Sequence, residues 1–84
     1  MNRQDIINKL LGLFFLLDFT IDPMSDMDKS WRSLGVDSLE FVELIMNVET
    51  QFGITITNEQ AADLRTPGEL LDHICAAKGL TVKV

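Results

Sequence analysis

Residues 34–52 constrain the fold of this chain more than any other stretch. They begin Leu34-Gly35-Val36-Asp37-Ser38-Leu39-Glu40-Phe41-Val42-Glu43-Leu44 and, after Gly35, run on to Phe52 with no further glycine or proline before Gly53. Asp37 is a good N-cap residue, because its carboxylate can accept from the unpaired amides of a first helical turn. Glu40, three positions on, completes a capping-box-like pair. A helix is therefore expected from Ser38 to Phe52, with Gly53 as its stop. Ser38 falls in the first turn, directly after a glycine-containing bend. A hydroxyl there is exposed, held in one orientation and close to a helix end that favours an anion. Asp-Ser pairs are also routine at helix starts, so a plain capping role stands beside a functional one.

The helix carries more apolar surface than a single buried face requires. At about 100° per residue, Phe41, Leu44, Ile45, Val48 and Phe52 fall on one side as a core stripe. Leu39, Val42 and Met46 form a second stripe on another side, with Glu43 and Glu49 at its margins. A helix buried on one face needs only one stripe. The second one, beside Ser38 and rimmed by carboxylates, has the make-up of a docking surface.

Elsewhere the signals are also helical. Asn2 with Asp5 opens a helix expected over 3–17, with Ile6, Ile7, Leu10, Leu11, Leu13, Phe14 and Leu17 on a broad apolar face. Phe15 and Leu16 fall off that face and are expected either to cover loop residues or to form a contact patch. Asp18 to Ser33 has no helical period and reads as a long acidic loop, with Trp31 and Leu34 pinning its end to the core. It is not a calcium loop, since the glycine at position six and the terminal glutamate are missing. Ile54-Thr55-Ile56 reads as an extended connector with Ile54 or Ile56 turned inward. Thr57 and Gln60 form a capping box for a short helix over 58–64. Thr66-Pro67-Gly68-Glu69 starts a last helix over 67–78, with Leu70, Leu71, Ile74 and Cys75 inward and His73 at the surface. Leu80 to Val84 is a tail of undefined structure. The expected fold is an all-α four-helix bundle with three main helices, one short helix and a long first loop, a single domain over 1–84.

Eighty-four residues bury only about 60–65% of the surface the unfolded chain exposes, so the core must be economical. Thirteen acids against seven bases give a formal charge of −6. That argues against nucleic acid, which calls for basic patches, and points to basic partner surfaces. The apolar run from Leu10 to Leu17 is too short to span a membrane, which takes about 20 residues. A secretory leader is not expected either, because Asp18 and Asp22 follow with no small-residue cleavage site. One cysteine excludes an internal disulfide and a cysteine-based metal site, and fits a reducing cytoplasm. No nucleophile–base–orienter set, phosphate-binding glycine loop or metal-ligand pattern is visible, so no catalytic residue is assigned and no enzyme is expected.

The segment Leu34-Gly35-Val36-Asp37-Ser38-Leu39 with Val42-Glu43-Leu44 closely resembles the phosphopantetheine attachment motif of acyl carrier proteins. The resemblance extends from about Asp5 to Ile74. It implies that Ser38 carries a 4′-phosphopantetheine arm, placed by a phosphopantetheinyl transferase from coenzyme A, with Asp37 as part of the motif. The arm's thiol would hold an acyl group as a thioester for acyl-transfer, condensing or modifying enzymes with basic docking surfaces. Leu39, Glu40, Val42, Glu43, Met46 and Glu49 are the expected docking residues, and a monomer is expected. The family generally has such a long first loop, with an apolar residue where Trp31 stands. Aminoacyl and peptidyl carriers usually show Gly-Gly before the serine motif, whereas Gly35-Val36-Asp37 is more like fatty-acid or polyketide carriers. Glu49-Thr50-Gln51 stands where fatty-acid carriers often have consecutive acids, so a specialised acyl or polyketide pathway is as open as general fatty-acid synthesis. A small acidic interaction module without an arm is the reading from another class.

Overall fold

In the computed structural model, which describes residues 2–80, four helices follow one another with no strand among the described residues. They are α1 (Arg3–Leu16), α2 (Ser38–Phe52), α3 (Asn58–Ala62) and α4 (Pro67–Ala77). Each start is explained by its cap. Asn2, Asp37 and Thr57 accept from the backbone of Asp5, Glu40 and Gln60, and those three side chains accept in return from the cap amides. At α4, Thr66 Oγ1 accepts from the Glu69 amide at 3.1 Å, while the Glu69 carboxylate reaches further back, to the Arg65 amide at 2.7 Å. Pro67 sits at the first helical position, where its missing N–H costs nothing.

The ends differ in mechanism. α2 stops at Gly53 in the left-handed region, as expected from the sequence. α1 stops one residue earlier than expected, with Asp18 rather than a glycine at φ 62° and the Phe19 amide returning to the Phe14 carbonyl at 2.8 Å. α3 is two residues shorter than expected. Leu64 leaves the helix and is buried in the core from the connector instead. α4 ends at Ala77, one residue short of the expected end. From residue 81 onward the tail lies outside the described residues.

α1 packs against both α2 and α4. Its Ile6, Leu10, Leu13 and Phe14 meet Leu44, Ile45, Val48 and Phe52 of α2 and Leu70, Leu71, Ile74 and Cys75 of α4. Cys75 is fully buried, in keeping with a packing role, and His73 is half-buried. Ile56 is the connector residue turned fully inward, with Ile54 packed partly beside it. Two lysines reach the carbonyl end of α2, which has no basic residue in its own last turn. Lys78 Nζ donates to the Phe52 carbonyl at 3.0 Å and Lys9 Nζ to the Gln51 carbonyl at 3.3 Å, where positive charge complements the helix dipole.

The long acidic loop is packed down by its own aspartates and by Trp31. Asp22 accepts from the Met24 amide at 2.8 Å, and Asp26 accepts from the Asp22 amide at 2.9 Å. The Asp22 amide and the Lys29 ammonium, 2.9 Å away, hold the Asp26 carboxyl below its ordinary pKa, and Asp26 holds Lys29 above its own. Trp31 is the anchor. Its indole N–H donates to the Leu64 carbonyl at 2.8 Å and its ring lies edge-on to Phe14. Buried indoles generally need such a partner. Leu34 packs only partly against the core; Val36 is the fully buried neighbour.

Gly68 joins loop and helix. Its amide donates to the Met27 carbonyl at 2.7 Å, and a Cβ built on it would lie 2.8 Å from that same oxygen. Gly68→Ala is therefore expected to destabilise by about 1–3 kcal/mol through backbone displacement, outweighing alanine's better helix propensity of at most about 1 kcal/mol. A thermal melt checks this. An unchanged or raised melting temperature would mean that loop and helix do not meet so closely.

Phe15 and Leu16 are not packed down over the loop. They are 85% and 69% exposed, so the expectation that they shield loop residues is corrected, and they stand as an apolar pair at the end of α1. Phe41 also differs from expectation. It is half-buried rather than a full member of the core, packed at its edge with the ring against Trp31, 5.4 Å between centroids.

Candidate functional site

The site begins with a single helical turn at the loop's end. The amides of Gly35 and Val36 return to the carbonyls of Arg32 and Trp31 at 3.0 and 2.9 Å. Closing that turn puts Gly35 at φ 81°, a conformation strained for any residue with a side chain. Val36 then drops into the core at 5% exposure, and the chain reverses into the extended Asp37 cap. Two anchors thus flank the reversal, buried Val36 before it and the Asp37–Glu40 capping box after it. Asp37 Oδ1 accepts from the Glu40 amide at 2.8 Å, and Glu40 Oε1 from the Asp37 amide at 3.0 Å. Ser38, the first residue of α2, is carried outward on this rigid corner and is exposed.

The second stripe of α2 faces outward. Leu39, Val42 and Met46 are 74%, 52% and 60% exposed, a line of large apolar side chains beside Ser38. Glu43 is exposed among them. The other two glutamates are less free than a docking rim would require. Glu40 is half-buried and engaged in the cap. Glu49, expected as a rim carboxylate, is half-buried and accepts from the Ile56 amide at 3.0 Å, tying α2 to the connector before α3. No sequence signal could have assigned that bond, because it depends on where the connector lies.

Two depressions border the stripe. One opens between the loop and α2, with Trp31, Arg32, Val36, Phe41 and Val42 on its walls and Ser38 at its edge. The other lies between α2 and α3, against Ile45, Met46, Ile56 and Ala61. Among the described residues no three of His, Cys, Asp or Glu stand together as a metal site. No described helix is long and apolar enough to cross a membrane.

An exposed hydroxyl on the first residue of a capped helix, with an apolar stripe beside it, suits the attachment of a phosphate-linked group. Comparison with known proteins decides the family. Residues 5–74 match the family described as "Phosphopantetheine attachment site". The chain belongs to the acyl carrier protein family. An acyl carrier protein from Thermosynechococcus vestitus is 34% identical over 76 residues, covering 88% of this chain and 93% of that protein. One from Exiguobacterium sibiricum is 47% identical over 49 residues, 57% of this chain and 62% of that protein. One from Porphyromonas gingivalis is 46% identical over 43 residues, 51% of this chain and 55% of that protein. In the last two matches the chain spans little more than half the length of the relative. The prosthetic group of this carrier family is 4′-phosphopantetheine, and the Ser38 corner fits it: the hydroxyl is accessible, and the side-chain hydrogen bonds of the helix start run between Asp37 and Glu40.

Proposed function

We propose that this chain, acting as one carrier unit over residues 1–84, transports acyl intermediates on a 4′-phosphopantetheine arm joined to Ser38. The observation that carries the reading is the exposed Ser38 on its rigid corner, next to the outward stripe of Leu39, Val42 and Met46. A phosphopantetheinyl transferase using magnesium and coenzyme A is the partner that loads it. Ser38 Oγ attacks the pyrophosphate, a new O–P bond forms, the pyrophosphate bond breaks and adenosine bisphosphate leaves while the hydroxyl proton passes to a base on the transferase. Once attached, the arm supplies a thiol that holds the cargo as a thioester.

The chain's own task is presentation. Asp37 and Glu40 hold the helix start, and Leu39, Val42 and Met46 dock partner enzymes of fatty-acid, polyketide or specialised acyl metabolism. Glu43 steers basic partner surfaces into place; Glu40 and Glu49 act on that face mainly by keeping it in shape. The monomer in a reducing cytoplasm is part of this reading. Gly35-Val36-Asp37, without a glycine pair, favours an acyl over an aminoacyl cargo.

Transferase rates test the docking face. Glu43→Lys sets a like charge against a basic partner and is expected to slow modification by roughly an order of magnitude at low salt. Raising salt is expected to slow the wild type and narrow the gap, because exposed charges are screened beyond about 8 Å at physiological ionic strength. Leu39→Ala and Met46→Ala are expected to slow modification while stability stays within about 0.5 kcal/mol. Equal rates for all variants, or sharply lowered melting temperatures, would show that the stripe does not dock partners.

A further inference from the structure

Given an arm on Ser38, as proposed above, we infer that the groove between the first loop and α2 is where it rests, with the Arg32 guanidinium paired to its phosphodiester. Three observations converge on this. The groove starts at the attachment point itself, since Ser38 stands at its edge with Arg32, Phe41 and Val42 along its walls.

The second observation is electrostatic. A phosphodiester on Ser38 adds negative charge to a chain already at −6, beside the carboxylates of Asp37 and Glu40. The Glu40 amide, which could otherwise meet an anion at a helix start, is taken by Asp37 at 2.8 Å. A cation on the groove wall would offset that charge at short range. Lys29 is held by Asp26 at 2.9 Å and Arg3 by Asp72 at 3.4 Å, whereas Arg32 is exposed on the groove wall with no carboxylate paired to it among the described residues. A planar guanidinium also matches two phosphate oxygens at once, which an ammonium does not.

The third is the floor. Phe41 packs half-buried against Trp31 at the edge of the core, 5.4 Å between ring centroids, and keeps part of its surface open to the groove. The methyl and methylene groups of a pantetheine chain find an apolar bed there, in line with the phosphate at Arg32. The groove on the other side of α2, towards α3, offers no arginine or lysine on its walls.

Trp31 is the only tryptophan and lines this groove, so its emission responds to a group that enters it. The experiment compares apo protein with protein loaded from coenzyme A by a transferase, for wild type, Arg32→Gln, Arg32→Lys and Arg65→Gln. Intact mass confirms loading, and Trp31 emission and the phosphorus NMR resonance of the phosphodiester are then recorded at low and high salt. Loading is expected to shift Trp31 emission in the wild type. Arg32→Gln is expected to lose more than half of that shift and to move the phosphorus resonance, and high salt is expected to do the same to the wild type. Arg32→Lys should recover part of both signals. Arg65→Gln, which removes the same charge from outside the groove walls, should behave as wild type. Loaded protein with unchanged emission, or with signals identical in wild type and Arg32→Gln, overturns the inference while leaving the attachment reading intact. A wild type that gains no mass overturns the attachment reading, and this inference with it.

Discussion

Ser38→Ala is expected to abolish modification by coenzyme A and a transferase while leaving the melting temperature within a degree or two of wild type. Both halves follow from the position. Ser38 is exposed at the first residue of α2, and the cap that starts this helix is made by Asp37 and Glu40, not by the serine. Alanine has higher helix propensity than serine, so the fold has no reason to suffer. The chemistry, by contrast, has no substitute. Neighbouring hydroxyls belong to Ser30 and Ser33, and both sit within the preceding turn, where Ser30 Oγ accepts from the Ser33 amide and Ser33 Oγ donates to the Ser30 carbonyl. A small interaction module without an arm would bind its partners equally well with alanine at position 38. Intact mass and a melt of the same sample separate the cases.

Phe14→Ala is expected to cost about 3–5 kcal/mol, the largest loss of stability anticipated for a single side chain here. The ring is 2% exposed, with Phe19 and Trp31 each 6.2 Å away between centroids. It therefore holds both the end of α1 and the anchor of the long loop. A domain of this length has only about 4–13 kcal/mol of total stability, so the variant is expected to be largely unfolded at moderate denaturant. Phe41→Ala makes the contrast, since its half-buried ring should cost distinctly less. Urea titrations of the two variants check the order, and an equal or reversed cost would mean that Phe41 belongs to the core.

The legible parts of the fold were those decided locally. Asn2, Asp37, Thr57 and Thr66 cap helices because a short polar side chain can reach an amide two or three residues away, and nothing distant alters that reach. The outward stripe of α2 was legible from its period alone. What escaped depends on distant segments meeting. Glu49 reads as a rim carboxylate until the connector brings the Ile56 amide to it. The bond from Lys9 to the Gln51 carbonyl likewise forms only because α1 crosses the end of α2. Gly68 looks like ordinary helix-start chemistry, and only the approach of the Met27 carbonyl gives it a reason to be glycine. Phe41 fits the core period, yet it stays half-buried against Trp31 and lines the groove beside Ser38. Phe15 and Leu16 were open between two roles, and their exposure removes the covering one.

Fragmentation mass spectrometry of the wild-type protein, after incubation with coenzyme A, magnesium and a phosphopantetheinyl transferase, tests the central claim most directly. The expected result is a gain of one phosphopantetheinyl group per chain, carried only by fragments that contain Ser38 and leaving a single new thiol besides the buried Cys75. No gain in mass, or a group found on any other residue, would contradict the assignment of Ser38 as the anchor of an acyl carrier.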